Sequence, residues 1–277
     1  GSSDVGHIRL SSYGAEQSVS YHQVMSNVVI VDAVRTPIGK RNGGLSTLHP
    51  GETLGLVQKA LIERTGIDPA EVEQVVGGVV SQAGEQAFNL TRTAWLGAGL
   101  PLTTAATTVD TQCGSSQQAT SLAASLVGSG VVDAAMACGV EAMSRVPIGA
   151  SGSKKLGLGV PIPPPYFDQY EMTSQFEGAE RIADKWEITR EDADAFGLAS
   201  QQRAIKAWKE DRFAGQYIEV VAPDVDQEGE PTGGSHTVGR DEGLRETTIE
   251  KLAMLKPVGR PDGVHTAGNA SQISDGA

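Results

Sequence analysis

Only two of the 277 residues are cysteine, Cys113 and Cys138. A disulfide framework needs more, so free thiols and a reducing, cytoplasmic setting are expected. Aromatic residues make up just 5% while glycine numbers 34, which favours tight turns and close backbone approaches over an aromatic core. Positive charge is scarce: 22 Lys and Arg against 34 Asp and Glu leave a net charge of -12. Non-specific nucleic-acid binding needs a basic surface, so that class is excluded. An anionic small molecule is not, since one or two cations and helix N-termini can hold phosphates. No run reads as a membrane span. The uncharged stretch from Thr111 to Val132 is long enough, but its Gly, Ser, Thr and Gln content fits a buried core helix better. No two Cys or His residues have ligand spacing, so no metal is expected.

What is present is organised. The first 24 residues lack periodicity; Gly1-Ser2 resembles a cloning scar and Met25 a natural start, so 1–24 reads as a leader or tag. Val28-Val29-Ile30-Val31 is β-branched and apolar, ends at the turn-prone Arg35-Thr36-Pro37-Ile38-Gly39, and reads as a buried strand. Glu52 to Arg64 sets Leu54, Val57, Ala60 and Leu61 on one helical stripe. Val72 to Val80 (interrupted by Gly77-Gly78), Ala105 to Asp110 and Val131 to Cys138 are further candidate strands, with a helix after Cys113. Such alternation predicts an α/β fold of βαβ units, with a largely parallel sheet covered by helices. Beyond Val146 the chain turns Gly- and Pro-rich. Two helical stretches follow, the second opened by the capping-box pattern Thr189-Arg190-Glu191-Asp192. Gln216 to Gly239 is polar and turn-rich. The parse is a core domain of 25–145 plus 268–277, and an inserted loop domain of 146–267.

The most informative segment is Val109-Asp110-Thr111-Gln112-Cys113-Gly114-Ser115-Ser116-Gln117-Gln118-Ala119. A strand runs into a cysteine and then into a helix built on Ala119, Leu122, Ala123 and Leu126. A thiol there sits at the positive end of a helix dipole, which favours the thiolate and aims backbone N–H groups at whatever is bonded to sulfur. Gly114, Ser115 and Ser116 leave room for a bulky thioester. Cys138, inside an apolar strand, reads as packing. None of His7, His22, His49, His236 and His265 has a base-like context.

The cysteine segment resembles the thiolase nucleophile motif, a strand followed by Cys-x-Ser-Gly and a helix. Three more segments match that family in order: Val34-Arg35-Thr36-Pro37-Ile38-Gly39, Cys138-Gly139-Val140-Glu141-Ala142-Met143-Ser144, and the twelve residues from Thr266 to Ala277. Departures are Ser116 for the usual glycine and Ser274 for the usual asparagine. Gln112-Cys113-Gly114-Ser115, the stretch Gln175 to Arg181, and Gln272 with Ser274 further resemble actinobacterial thiolases of steroid side-chain degradation.

The resemblance implies a thiolase-like mixed sheet covered by helices, with an inserted loop domain. It implies Cys113 as nucleophile, Arg245, Ala267 and Ser271 as coenzyme A contacts, and Gln175 as an acyl-pocket residue where many relatives place methionine. Coenzyme A would be a substrate, with no further cofactor. A homodimer or homotetramer is implied too, with contacts around Gly84 to Arg92. The family's Gly-His-Pro histidine, second Cys-x-Gly cysteine and Asn-Glu-Ala-Phe segment do not occur here, so the chain is expected to be the N-terminal portion of the enzyme and inactive alone. Two rivals stay open. A β-ketoacyl synthase has a similar Asp-Thr-Ala-Cys-Ser-Ser-Ser motif, and a non-catalytic acyl-CoA-binding protein would need no second half.

Overall fold

The computed structural model describes residues 27–277; the leader expected at 1–24 lies outside them. In chain order the strands and helices are β1 (Gly39–Lys40), α1 (Pro50–Thr65), β2 (Gln74–Gly78), α2 (Leu90–Gly97), β3 (Ala105–Val109), α3 (Ser115–Gly128), β4 (Ala135–Gly139), β5 (Glu141–Ala142), α4 (Gln175–Trp186), α5 (Arg190–Lys209), β6 (Val220–Val225), β7 (Pro231–Val238), α6 (Ile249–Ala253) and β8 (Ser274–Gly276).

The heart of the fold is a parallel sheet in the order β3-β2-β4, with Gln74 opposite both Ala105 and Ala135. Its side chains alternate, as a pleat requires. Val75 packs with Ile62, Trp95 and Met136 beneath α1 and α2, whereas Val76 packs with Ala119 and Ala123 of α3. The sheet is therefore covered on both faces, which is why β2 reads as a continuous apolar run. Trp95 is fully buried and donates its indole N–H to Pro101 O at 2.9 Å. Helix α1 starts at Pro50, two residues ahead of the expected Glu52. His49 Nδ1 accepts from Gly51 N, the Glu52 carboxylate returns to His49 N, and Pro50 occupies the first turn.

A second, antiparallel sheet has the order β1-β8-β5, pairing Asp275 with both Gly39 and Ala142. Together the two sheets give the mixed arrangement expected. One strand is missing from it. Val28 to Val31 belong to no ladder, and Val29, Ile30 and Val31 are 74%, 83% and 79% exposed. A strand exists only through its neighbour. The three residues of β8 are taken up by β1 and β5, and among the described residues nothing offers residues 28–31 a ladder. The outer edges of β3 and β4 are likewise unpaired among the described residues.

Helix α3, expected as a buried core helix, is buried on one face: Ser115, Ala119 and Ala123 are buried, while Gln117, Thr120 and Ser121 face solvent. No helix among the described residues is long and apolar enough to cross a membrane.

Past the core, residues 143–174 hold only short 3-10 turns. Helices α4 and α5 follow, with Thr189 and Asp192 closing the expected capping box. The stretch 216–239, expected to be turns, is instead the hairpin β6–β7, bulged between Pro223 and Val225. Its Val220, Ala222 and Val238 pack on Leu45 and Leu48. His236 fastens this hairpin to the core. Nδ1 lies 2.6 Å from Asp224 Oδ1 and Nε2 2.9 Å from Gly44 O. Both ring nitrogens face acceptors, so the imidazolium satisfies both at once, and the Asp224 carboxylate with the Gly44 carbonyl raises the histidine above its usual value. A raised folded pKa adds stability below the unfolded value, about 6.5, and loses it as pH rises through the folded value. Urea midpoints of the parent and of His236→Gln should therefore differ most at pH 6 and converge by pH 9.

Candidate active site

Strand β3 ends at Val109, and six residues later the chain enters α3 at Ser115; Cys113 lies in that connection, at the carboxyl end of the parallel sheet and exposed. Ligands of open α/β sheets bind at this edge. The turn is tight because of Gln112, whose φ of 53° is left-handed. An L residue is disfavoured there by roughly 1–2 kcal/mol, so neighbours must hold it. Asp110 Oδ1 accepts the Gln112 N–H at 2.7 Å. Ser115 Oγ accepts from Thr111 N at 3.1 Å and donates to Gln112 O at 2.6 Å. Backbone bonds from Gly114 N to Thr111 O and from Ser115 N to Gln112 O complete the turn.

The first turn of α3 then lies directly on the sheet. A Cβ on Gly78 would collide with the backbone of Ser115 and Ser116, and one on Gly139 with the Ser116 hydroxyl. Only glycine at the ends of β2 and β4 lets the helix come this close. Ser116 is accommodated over Gly139, so its hydroxyl takes space a bare helix would leave open. Glu141, just past β4, accepts from Val80 N, Ser81 N and Gln86 Nε2, while Gln86 Oε1 accepts from Ala142 N. These bonds brace the same carboxyl edge.

Cys138 differs from Cys113 in every respect. It packs among core side chains on the α1 side of the sheet, with Gln58 Nε2 3.6 Å from its sulfur, and burial pushes its thiol up to about 12. It remains a neutral packing group.

The other expected site residues form a connected unit. Glu180 of α4 is fully buried and takes the N–H groups of Val264 (2.9 Å) and His265 (3.1 Å). Burial alone would raise its carboxyl, yet these backbone donors and the His265 side chain hold it below the usual carboxylate range. Asp194 of α5, also buried, accepts from Arg190 Nε and Asn269 Nδ2. Two buried carboxylates thus fix the turn 264–270, on which Ala267 is exposed, with Ser271 exposed just beyond it. Gln175 is the first, exposed residue of the α4 helix that carries Glu180. Gln272 Nε2 donates to Gly243 O at 2.9 Å, tying this segment to the loop bearing Arg245. Arg245 donates its backbone N–H to Gln201 and, with Gln201, Lys206 and Lys209, lines an open cleft of about 620 Å³. Arg245, Ala267, Ser271 and Gln175 therefore share one scaffold. No hydrogen bond or ion pair among the described residues links Cys113 to it; the contacts described for Cys113 lie within its own turn.

The sequence reading passed over Asp110, Glu180 and Asp194. Asp110 had a signal: an aspartate two residues ahead of a turn residue is the ordinary Asx-turn arrangement. For the other two, the bonds that fix the turn come from partners 75 to 85 residues away, although Arg190, four residues before Asp194, was a local signal for an ion pair. Among the described residues no group of three or more His, Cys, Asp or Glu could hold a metal.

Comparison with known proteins places this geometry. The family model described as thiolase, N-terminal domain, matches residues 28–277. The steroid 3-ketoacyl-CoA thiolase FadA6 of Mycobacterium tuberculosis is 40% identical over 92% of this chain and 61% of its own length. The 3-ketoacyl-CoA thiolase of Bacillus subtilis is 36% identical, over 91% and 64%. The crystal structure of the acetyl-CoA acetyltransferase of Bacillus anthracis superposes with a TM-score of 0.79 at 35% identity, covering 92% of this chain and 64% of that one. The chain thus spans a little under two thirds of the length of these relatives. With the cysteine turn, the mixed sheets and a match from residue 28 to 277 in agreement, the chain belongs to the thiolase family and carries its N-terminal domain.

Proposed function

We propose that the complete protein is a thiolase that moves acyl groups between Cys113 and coenzyme A. The observation that carries this reading is an exposed thiol held on a left-handed turn, one residue ahead of the Gly114 cap of α3. In the degradative direction the Cys113 thiolate attacks the β-keto carbon of a 3-ketoacyl-CoA. The Cα–Cβ bond breaks and its electron pair passes to Cα, which takes up a proton as acetyl-CoA leaves. The acyl group stays on sulfur as a thioester; the thiol of a second coenzyme A attacks that carbonyl and Cys113 departs with its electron pair. This is covalent catalysis, with negative charge on the carbonyl oxygen in each attack. Reversal is a Claisen condensation.

The cleft lined by Arg245, Lys206 and Lys209, with Glu210 and Glu246 also at its walls, offers cations to the phosphates of coenzyme A, and exposed Ala267 and Ser271 suit its pantetheine arm. Gln175 is assigned to the acyl pocket, and the names of the relatives favour fatty-acid or steroid side-chain degradation. A dimer or tetramer fits the unpaired edge of β3 and Phe88, which is 93% exposed.

Incubating the complete protein with acetyl-CoA should leave an acetyl group on the peptide containing Cys113 and none on that containing Cys138, read by mass spectrometry. Acetylation that persists in Cys113→Ala would remove the assignment.

A further inference from the structure

We infer that Asp110 and Ser115 are positioning residues for the thiol of Cys113. The inference rests on the reading of Cys113 as the nucleophile and adds how the chain aims it. Two peptide units precede the cysteine, and each is held from outside. The Thr111 N–H goes to Ser115 Oγ, whose own proton goes to Gln112 O, while the Gln112 N–H goes to the Asp110 carboxylate. Asp110 Oδ2 also lies 3.4 Å from Gln112 Nε2, so the side chain of the strained residue meets the same carboxylate. Ser115 is 4% exposed and its hydroxyl has no other described partner.

This clamp is not needed to place the helix. Helix α3 is fixed separately, by Ala119 and Ala123 against Val76 and by its first turn over Gly78 and Gly139. If Gln112 relaxed to a negative φ, α3 would stay where it is and the Cα–Cβ bond of Cys113 would swing away. Asp110 thus acts on the direction of the thiol and not on the stability of the fold. The recognised atom is an oxygen acceptor. An amide oxygen can replace it, whereas a methyl group cannot.

The variants Asp110→Ala and Asp110→Asn separate these roles. In the 277-residue chain, Asp110→Ala should speed hydrogen exchange at the Gln112 amide by about tenfold or more, and Asp110→Asn should not. In the complete protein, Asp110→Ala should lower kcat between about tenfold and 10²-fold with KM little changed, and Asp110→Asn should restore kcat. The melting midpoints of both variants should match the parent. Unchanged exchange in Asp110→Ala, or a kcat for Asp110→Asn no better than for Asp110→Ala, overturns the inference. A complete parent protein that acetylates no cysteine would overturn the nucleophile reading instead, and the exchange measurement would still decide whether the clamp exists.

Discussion

Cys113→Ala in the complete protein is expected to abolish thiolysis of acetoacetyl-CoA, with kcat lower by on the order of 10⁴-fold or more. The size of the effect follows from losing the sulfur that carries the acyl group between the two half-reactions. Among the described residues the other thiol, Cys138, cannot take its place: burial pushes it up to about 12, and it lies on the α1 side of the sheet. Stability should be untouched, because Cys113 is exposed and its side chain makes no hydrogen bond among the described residues. Steady-state kinetics alongside a melting curve would check both halves. Activity within tenfold of the parent at an unchanged melting point would move the nucleophile elsewhere.

Gly78→Ala should cost about 3 kcal/mol of stability or more, at the upper end for an overpacked core. The added Cβ meets the backbone of Ser115 and Ser116, not a side chain that could rotate away. Either β2 bends or the first turn of α3 lifts, and the turn bearing Cys113 lifts with it. Gly97→Ala is the control. It sits at the end of α2 with nothing within 4 Å of where the new methyl group would stand, and should change stability by less than about 1 kcal/mol. Urea unfolding of the two variants gives the comparison. Equal midpoints would mean that the helix–sheet approach tolerates a methyl group and that Gly78 is incidental.

The parallel sheet and the cysteine turn were legible because their signals are local. Val75 and Val76 face opposite helices, so β2 had to be apolar at consecutive positions. The small residues after Cys113 announce a helix pressed against a sheet. The hairpin β6–β7 was not legible, because Pro231, Gly233 and Gly234 hide the alternation of a strand whose outer half is solvated. The run Val28 to Val31 misled for the converse reason. Its β propensity is real, but propensity describes how a residue suits a ladder and cannot supply one. The carboxylates of Glu180 and Asp194 escaped notice because the groups they hold at 264–269 lie across the fold, and the Arg190–Asp194 pair looks like any solvated i,i+4 pair on a helix. The β-ketoacyl synthase reading, open on the cysteine segment alone, is displaced by the family match over residues 28–277.

The unladdered run at 28–31 lies in a chain that also leaves the flanks of β3 and β4 open. Backbone donors and acceptors in such places are satisfied by water only while no other strand is near. A second molecule offering the same apolar stretch can replace that water along a whole row at once, and neither Pro nor a charged side chain falls within residues 28–31 to oppose it. Among the described residues, 28–31 are therefore a place where a second chain could add a strand. Association of isolated chains is expected to start at these four residues, which pack in no core cluster among the described residues.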